Sequence, residues 1–106
     1  MALEWHPFAR YAYAMTTAAL PIDPQRENSA GMQALGAGRY ALAVQHFAAA
    51  TTADPAAPAL WRNLARAHRE LGDDEQERAA LTGALDADRT DFMAWLRMAE
   101  LHQRLG

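Results

Sequence analysis

The stretch Pro58–Gly106 reads PALWRNLARAHRELGDDEQERAALTGALDADRTDFMAWLRMAELHQRLG. Slid along itself by 34 residues, it places Trp61 on Trp95, His68 on His102 and Gly72 on Gly106. The same shift, extended toward the N-terminus, places Pro24 on Pro58, Gly38 on Gly72, Phe47 on Leu81, Ala50 on Ala84 and Asp54 on Asp88. Several matches at one offset, at positions where side-chain size matters, mark an internal repeat. A repeat of this length stacks supersecondary units that cannot bury their apolar faces alone.

Each unit reads as two helices. Ala30, Leu64 and Met98 are equivalent apolar positions on the first helix, and Gly31, Ala65 and Ala99 follow them. A small residue there lets the second helix approach closely. Gly38 and Gly72 fall at the break between helices, where a positive φ is cheap only for glycine. Asp73 ahead of Gln76 reads as a capping box. Pro55 and Pro58 flank the start of a unit, and proline is tolerated in a first helical turn. The predicted helices are 25–37, 40–53, 58–71, 74–87 and 92–105, with a further helix over 6–20 between Pro7 and Pro21.

Composition agrees with an all-α fold. The 106 residues include 26 alanines, against three each of Phe, Tyr and Trp, which suits closely packed helices better than a sheet core. The net charge is −3, and all ten basic residues are arginine. That balance lacks the basic footprint of a nucleic-acid binder. The arginine-only, alanine-rich usage suggests a bacterial source. No cysteine is present, so disulfides and thiolate metal sites are excluded. The first residues, with Glu4, His6 and Arg10, make a poor signal peptide, and no apolar run approaches a membrane span. A cytoplasmic location is expected.

The 34-residue unit resembles the tetratricopeptide repeat. Residues 24–57 match its pattern at Gly31, Gly38, Tyr40, Ala43, Phe47, Ala50 and Pro55, and residues 58–91 at Trp61, Leu64, Gly72 and Ala84. Residues 92–106 match at Trp95 and Gly106. Three departures stand out: Glu27 replaces the usual tryptophan, Glu77 a usually buried alanine, and Arg89 the usual proline. The resemblance implies a helix-turn-helix solenoid divided as 1–23, an N-terminal helix or degenerate repeat; 24–57 and 58–91, two repeats; and 92–106, a capping helix. Together they form one domain. Trp5, Trp61 and Trp95 are expected in the core. The open side of the last helix is expected to carry Met93, Leu96, Leu101 and Leu105.

Function in such an array resides on the concave face lined by the first helices. Arg62, Arg66 and Arg69 stand at i, i+4 and i+7, so they share one helical face. Planar guanidinium groups suit carboxylate partners. Alternatively these arginines are a solvated face partly paired with Glu70 and Glu100. Chaperone-binding members of the resembled family clamp a terminal carboxylate. Asn63 and Arg97 stand at matching places, but Asn28, Met32 and Met93 are not the required residues, so no chaperone-tail binding is expected. The candidate partner-binding set is Asn28, Met32, Arg62, Asn63, Arg66, Arg69 and Arg97. The expected partner is a protein or peptide with an acidic segment, with self-association through the terminal helix as a further option.

Catalysis is not expected of this chain. It has one serine, Ser29, and no phosphate loop, zinc motif or nucleophile elbow. His68 and His102 occupy equivalent positions but lack completing ligands, so neither metal nor cofactor is predicted. The acidic run Asp73, Asp74, Glu75 and Glu77 suits a helix N-terminus. A narrower similarity links Leu60–Gly106 to the N-terminal repeat region of bacterial aspartyl/asparaginyl β-hydroxylase-like proteins. Their iron- and 2-oxoglutarate-dependent catalytic domain has no counterpart in these residues. That similarity implies an accessory, substrate-positioning or dimerising role.

Overall fold

The computed structural model describes residues 21–106. The helix expected over 6–20, and Trp5, lie outside them. The described chain forms five helices: α1 Pro24–Gly36, α2 Tyr40–Ala53, α3 Pro58–Leu71, α4 Asp74–Ala87 and α5 Phe92–Leu105. Each packs on the next in chain order, as short connections between helices require. The fold is an all-α solenoid.

Local chemistry sets the helix ends. Asp23 accepts a hydrogen bond from the Gln25 amide at 3.0 Å and starts α1 with Pro24 at its first position. Asp73 does the same for α4 through the Gln76 amide at 3.3 Å. The helices of each pair part at Gly38 and Gly72, whose φ values are +76° and +75°. This left-handed conformation is open to glycine and costly for other residues.

Among the described residues the core combines buried alanines with the larger Leu35, Phe47, Leu60, Leu64, Leu81 and Leu101. Ala43, Ala50, Ala67, Ala84 and Ala94 are fully buried, and Phe47, Leu81 and Leu101 are the largest side chains completely inside. The small-residue positions expected from the repeat carry the close approaches. Phe47 of α2 lies flat against Gly31 of α1, so tightly that a Cβ there would sit 2.5 Å from Cε1 of the ring. Ala65 is buried at the equivalent place in α3. Ala99 of α5 is exposed, because no helix lies over it among the described residues.

Two expectations require correction. Trp95 is not a core residue: it is 54 % exposed, while Trp61 is half-buried against α4. The two indoles are anchored alike, Trp61 to the Pro55 carbonyl at 2.9 Å and Trp95 to the Arg89 carbonyl at 2.7 Å. They differ only in what lies beyond. Trp61 covers Gly83, where any Cβ would come within 3.0 Å of the ring. Nothing described covers Trp95. Leu101, expected on the open side, is fully buried against the core; Leu96 and Leu105 are exposed as expected, and Phe92 and Trp95 are exposed as well.

Glycines in apparently similar helical settings should therefore respond with opposite signs. Gly36 has no atom within 4 Å of a prospective Cβ, so Gly36→Ala is expected to stabilise by roughly 0.5–1 kcal/mol through helix propensity. Gly83→Ala meets the Trp61 ring and is expected to destabilise by about 1–3 kcal/mol of overpacking. Urea midpoints of the two variants, moving in opposite directions, check this.

Candidate functional site

The first helices of successive pairs, α1, α3 and α5, carry the predicted site residues. They do so because each pair presents its first helix on the same side of the stack. A groove of about 460 Å³ opens along α3 and is lined by Arg62, Asn63, Ala65, Arg66, Arg69, Glu70, Glu77, Leu81 and Arg97. Five of the seven candidate residues are thus brought together. Asn28 reaches the group through Asn63, whose amide donates to the Asn28 side-chain oxygen at 2.8 Å. Met32 is exposed on α1 but does not line the groove.

The arginines are not equivalent. Arg62 donates from Nε to Asp91 at 2.9 Å, and that carboxylate is largely buried. Asp91 is the N-cap of α5 but makes no side-chain capping bond, since its oxygen is used by Arg62. Arg97 pairs with Glu100 of its own helix at 3.5 Å. Arg66 and Arg69 are exposed, and neither has an ion-pair partner among the described residues. Of the alternative reading, a solvated face partly paired with Glu70 and Glu100, the pairing is not seen among the described residues: Asp91 takes Arg62, Glu100 takes Arg97, and Arg66 and Arg69 stand exposed.

The floor of the groove holds an acid that repeat patterning placed under suspicion. Glu77 is 2 % exposed, in the position of a buried alanine. Arg104 of α5 donates to it directly and also reaches Asp74 at 3.5 Å. A buried charge needs a partner and hydrogen bonds to be tolerated, and Arg104 supplies both. The Glu77 carboxylate in turn raises the Arg104 pKa, chiefly through that hydrogen bond. The sequence marked Glu77 as anomalous, but its partner lies 27 residues away on the next unit. A second departure is resolved in the same way. Glu27, standing where tryptophan is usual, accepts from or pairs with His46 Nδ1 of α2 at 2.9 Å.

His68 stands behind the groove in the last turn of α3. Its Nδ1 has no hydrogen-bond partner among the described residues and lies 4.0 Å from Asp73, beyond bonding distance. Burial lowers its pKa below the ordinary value of 6.5, opposed in part by the carboxylates of Asp73 and Glu77. The folded state therefore binds this proton less readily than the unfolded chain. Stability is complete above pH 6.5 and declines as pH falls from there to the lowered folded value, below which this group adds no further loss. His68→Gln is expected to flatten that part of the thermal-midpoint profile between pH 8 and 5; an unchanged slope would assign it to other groups.

A scan of protein-family profiles matches the tetratricopeptide repeat over residues 34–101. None of the curated proteins compared with the chain matches it. The similarity to the hydroxylase-associated repeat region gains nothing from these comparisons. Among the described residues no helix is long and apolar enough to cross a membrane. Repeats of this fold commonly mediate protein–protein interaction and are typically not catalytic. With its 34-residue period, paired helices and small-residue contacts, the chain belongs to the tetratricopeptide repeat family.

Proposed function

We propose that the chain is a binding module that holds an extended, acidic protein segment in the groove along α3. The observation that carries this reading is a pair of exposed guanidinium groups that have no ion-pair partner among the described residues. Arg66 and Arg69 lie one turn apart on the groove wall, with Arg97 also lining it. Like charges at this spacing oppose each other in the free protein. A carboxylate-bearing segment relieves that repulsion and gains charge-assisted, fork-shaped hydrogen bonds. Arg62 has another role. Bound to Asp91, it fixes the start of α5 and hence the position of Arg97. Asn28 and Asn63, bonded across α1 and α3, extend the polar surface toward Met32. In this reading 24–57 and 58–91 act as the two repeats, and 92–106 completes the groove as the third wall.

Selection from a displayed library of linear peptides tests this directly. Recovered peptides are expected to carry at least two closely spaced carboxylates. Their affinity should fall at least tenfold on joint Arg66→Glu and Arg69→Glu substitution, about 1.4 kcal/mol. It should also fall as salt rises from 50 to 500 mM, because these side chains are exposed and screened. The helical circular dichroism of the double variant should match that of the parent. Recovery of neutral peptides insensitive to the double substitution would overturn the acidic-segment reading.

A further inference from the structure

Helix α5 has two unlike faces. Ala94 and Leu101 on one are fully buried against the preceding helices. On the other, Phe92, Trp95 and Leu96 are 71 %, 54 % and 40 % exposed, and Ala99 is exposed beside them. Spacings of three, four and seven residues put these four on one stripe. On α3 the equivalent of Trp95, Trp61, lies over Gly83 of α4, and the equivalent of Ala99, Ala65, is buried. Contiguous apolar surface of this kind marks an interaction site.

We propose that a second copy of this chain covers the stripe, α5 pairing antiparallel with α5 about a two-fold axis at Ala99. Ala99 lies at the middle of the helix Phe92–Leu105. An axis there sets alanine against alanine, the small contact that lets two helices approach to about 8 Å. The distribution of bulk fits its own reverse. The large residues Phe92, Trp95 and Leu96 occupy the first half of the stripe, and His102 and Gln103 the second. In an antiparallel pair the bulky half of each copy lies over the slimmer half of the other. A two-fold contact of this kind requires such self-complementarity, and the opposed helix dipoles favour it. Glu100, at the rim near the axis, is already paired with Arg97 of its own helix, which limits repulsion between the two copies.

The area sets the strength. With about 200–250 Å² for a fully exposed aromatic residue, Phe92, Trp95 and Leu96 offer roughly 350 Å² per copy. Two copies thus bury about 700 Å² through these residues, below the roughly 1,000 Å² of a stable specific interface, which makes the pairing weak. The dimer is therefore concentration-dependent.

Sedimentation equilibrium of the full chain across a wide concentration range is the first test, and self-association is expected. Phe92→Glu and Trp95→Glu, both at exposed positions, should each raise the dissociation constant at least tenfold without loss of helical signal. Joint Arg66→Glu and Arg69→Glu substitution should leave it unchanged, which separates this surface from the groove. The chain has no cysteine, so Ala99→Cys is a clean reporter: it should form a disulfide with its own copy far faster than Ala59→Cys, at an exposed site on α3. A monomer at all concentrations, a dimer indifferent to both glutamates, or equal cross-linking at the two cysteine sites would each overturn the proposal. The first of these would assign the stripe to a different helix.

Discussion

Phe47→Ala is expected to destabilise the array by about 3–5 kcal/mol. Domain stability is only about 5–15 kcal/mol in total, so this loss approaches unfolding. The ring is completely buried, among alanines such as Ala34, Ala43 and Ala50 as well as leucines, and close-packed neighbours relax only partly into the space it would leave. It also meets the backbone of α1 at Gly31 with no side chain between. The coupling of these two positions gives a sharper test. In the parent, Gly31→Ala drives a methyl group into the ring and is expected to cost about 1–3 kcal/mol. In the Phe47→Ala background that ring is gone, and the same substitution should become neutral or stabilising, as alanine is the better helix former by about 1 kcal/mol. A double-mutant cycle from urea denaturation reads this interaction directly. Additive effects would mean that the close approach does not govern how α1 packs on α2.

Arg104→Met is expected to release the second half of α5 from the array. It leaves the Glu77 carboxylate buried without its cation, and such a charge is far more costly alone than paired. The readout is local: amide exchange in the second half of α5 should accelerate more than in α1 or α2, since the Arg62–Asp91 bond still holds the start of the helix. Glu77→Met predicts the contrary. It removes the buried charge, restores an apolar residue to a core position, and frees an arginine that solvent readily accepts. This variant should be as stable as the parent or more so, and it should rescue Arg104→Met in the double variant. A destabilising Glu77→Met that Arg104→Met does not worsen would mean that the pair is a net source of stability. The groove should respond as well. Glu77 lies on its floor, so its removal makes the local potential more positive and should tighten binding of an acidic peptide.

Much of the architecture was legible in the chain alone, for reasons confined to local chemistry. A fixed 34-residue offset determined the number and order of the helices. A cap and left-handed glycines determined several of their ends: Asp73, Gly38 and Gly72 act through groups within a few residues, so their roles follow from sequence spacing, and Asp23, not among the expected caps, caps α1 in the same local way. The arginine face of α3 was legible for the same reason, because helical periodicity alone places Arg62, Arg66 and Arg69 on one side. What only the tertiary structure decided was which of these groups are already engaged. Arg62 is bound 29 residues away at Asp91, Glu77 is bound 27 residues away at Arg104, and Asn28 meets Asn63 across helices. Trp61 and Trp95 occupy equivalent positions of the repeat, yet one covers Gly83 and the other stands open. A repeat encodes equivalent positions, and burial depends on neighbours that the equivalence does not specify. The residue spacing therefore determined a stack with an arginine stripe along α3, and the packing of one unit on the next decided which arginines are already ion-paired and which tryptophan is exposed.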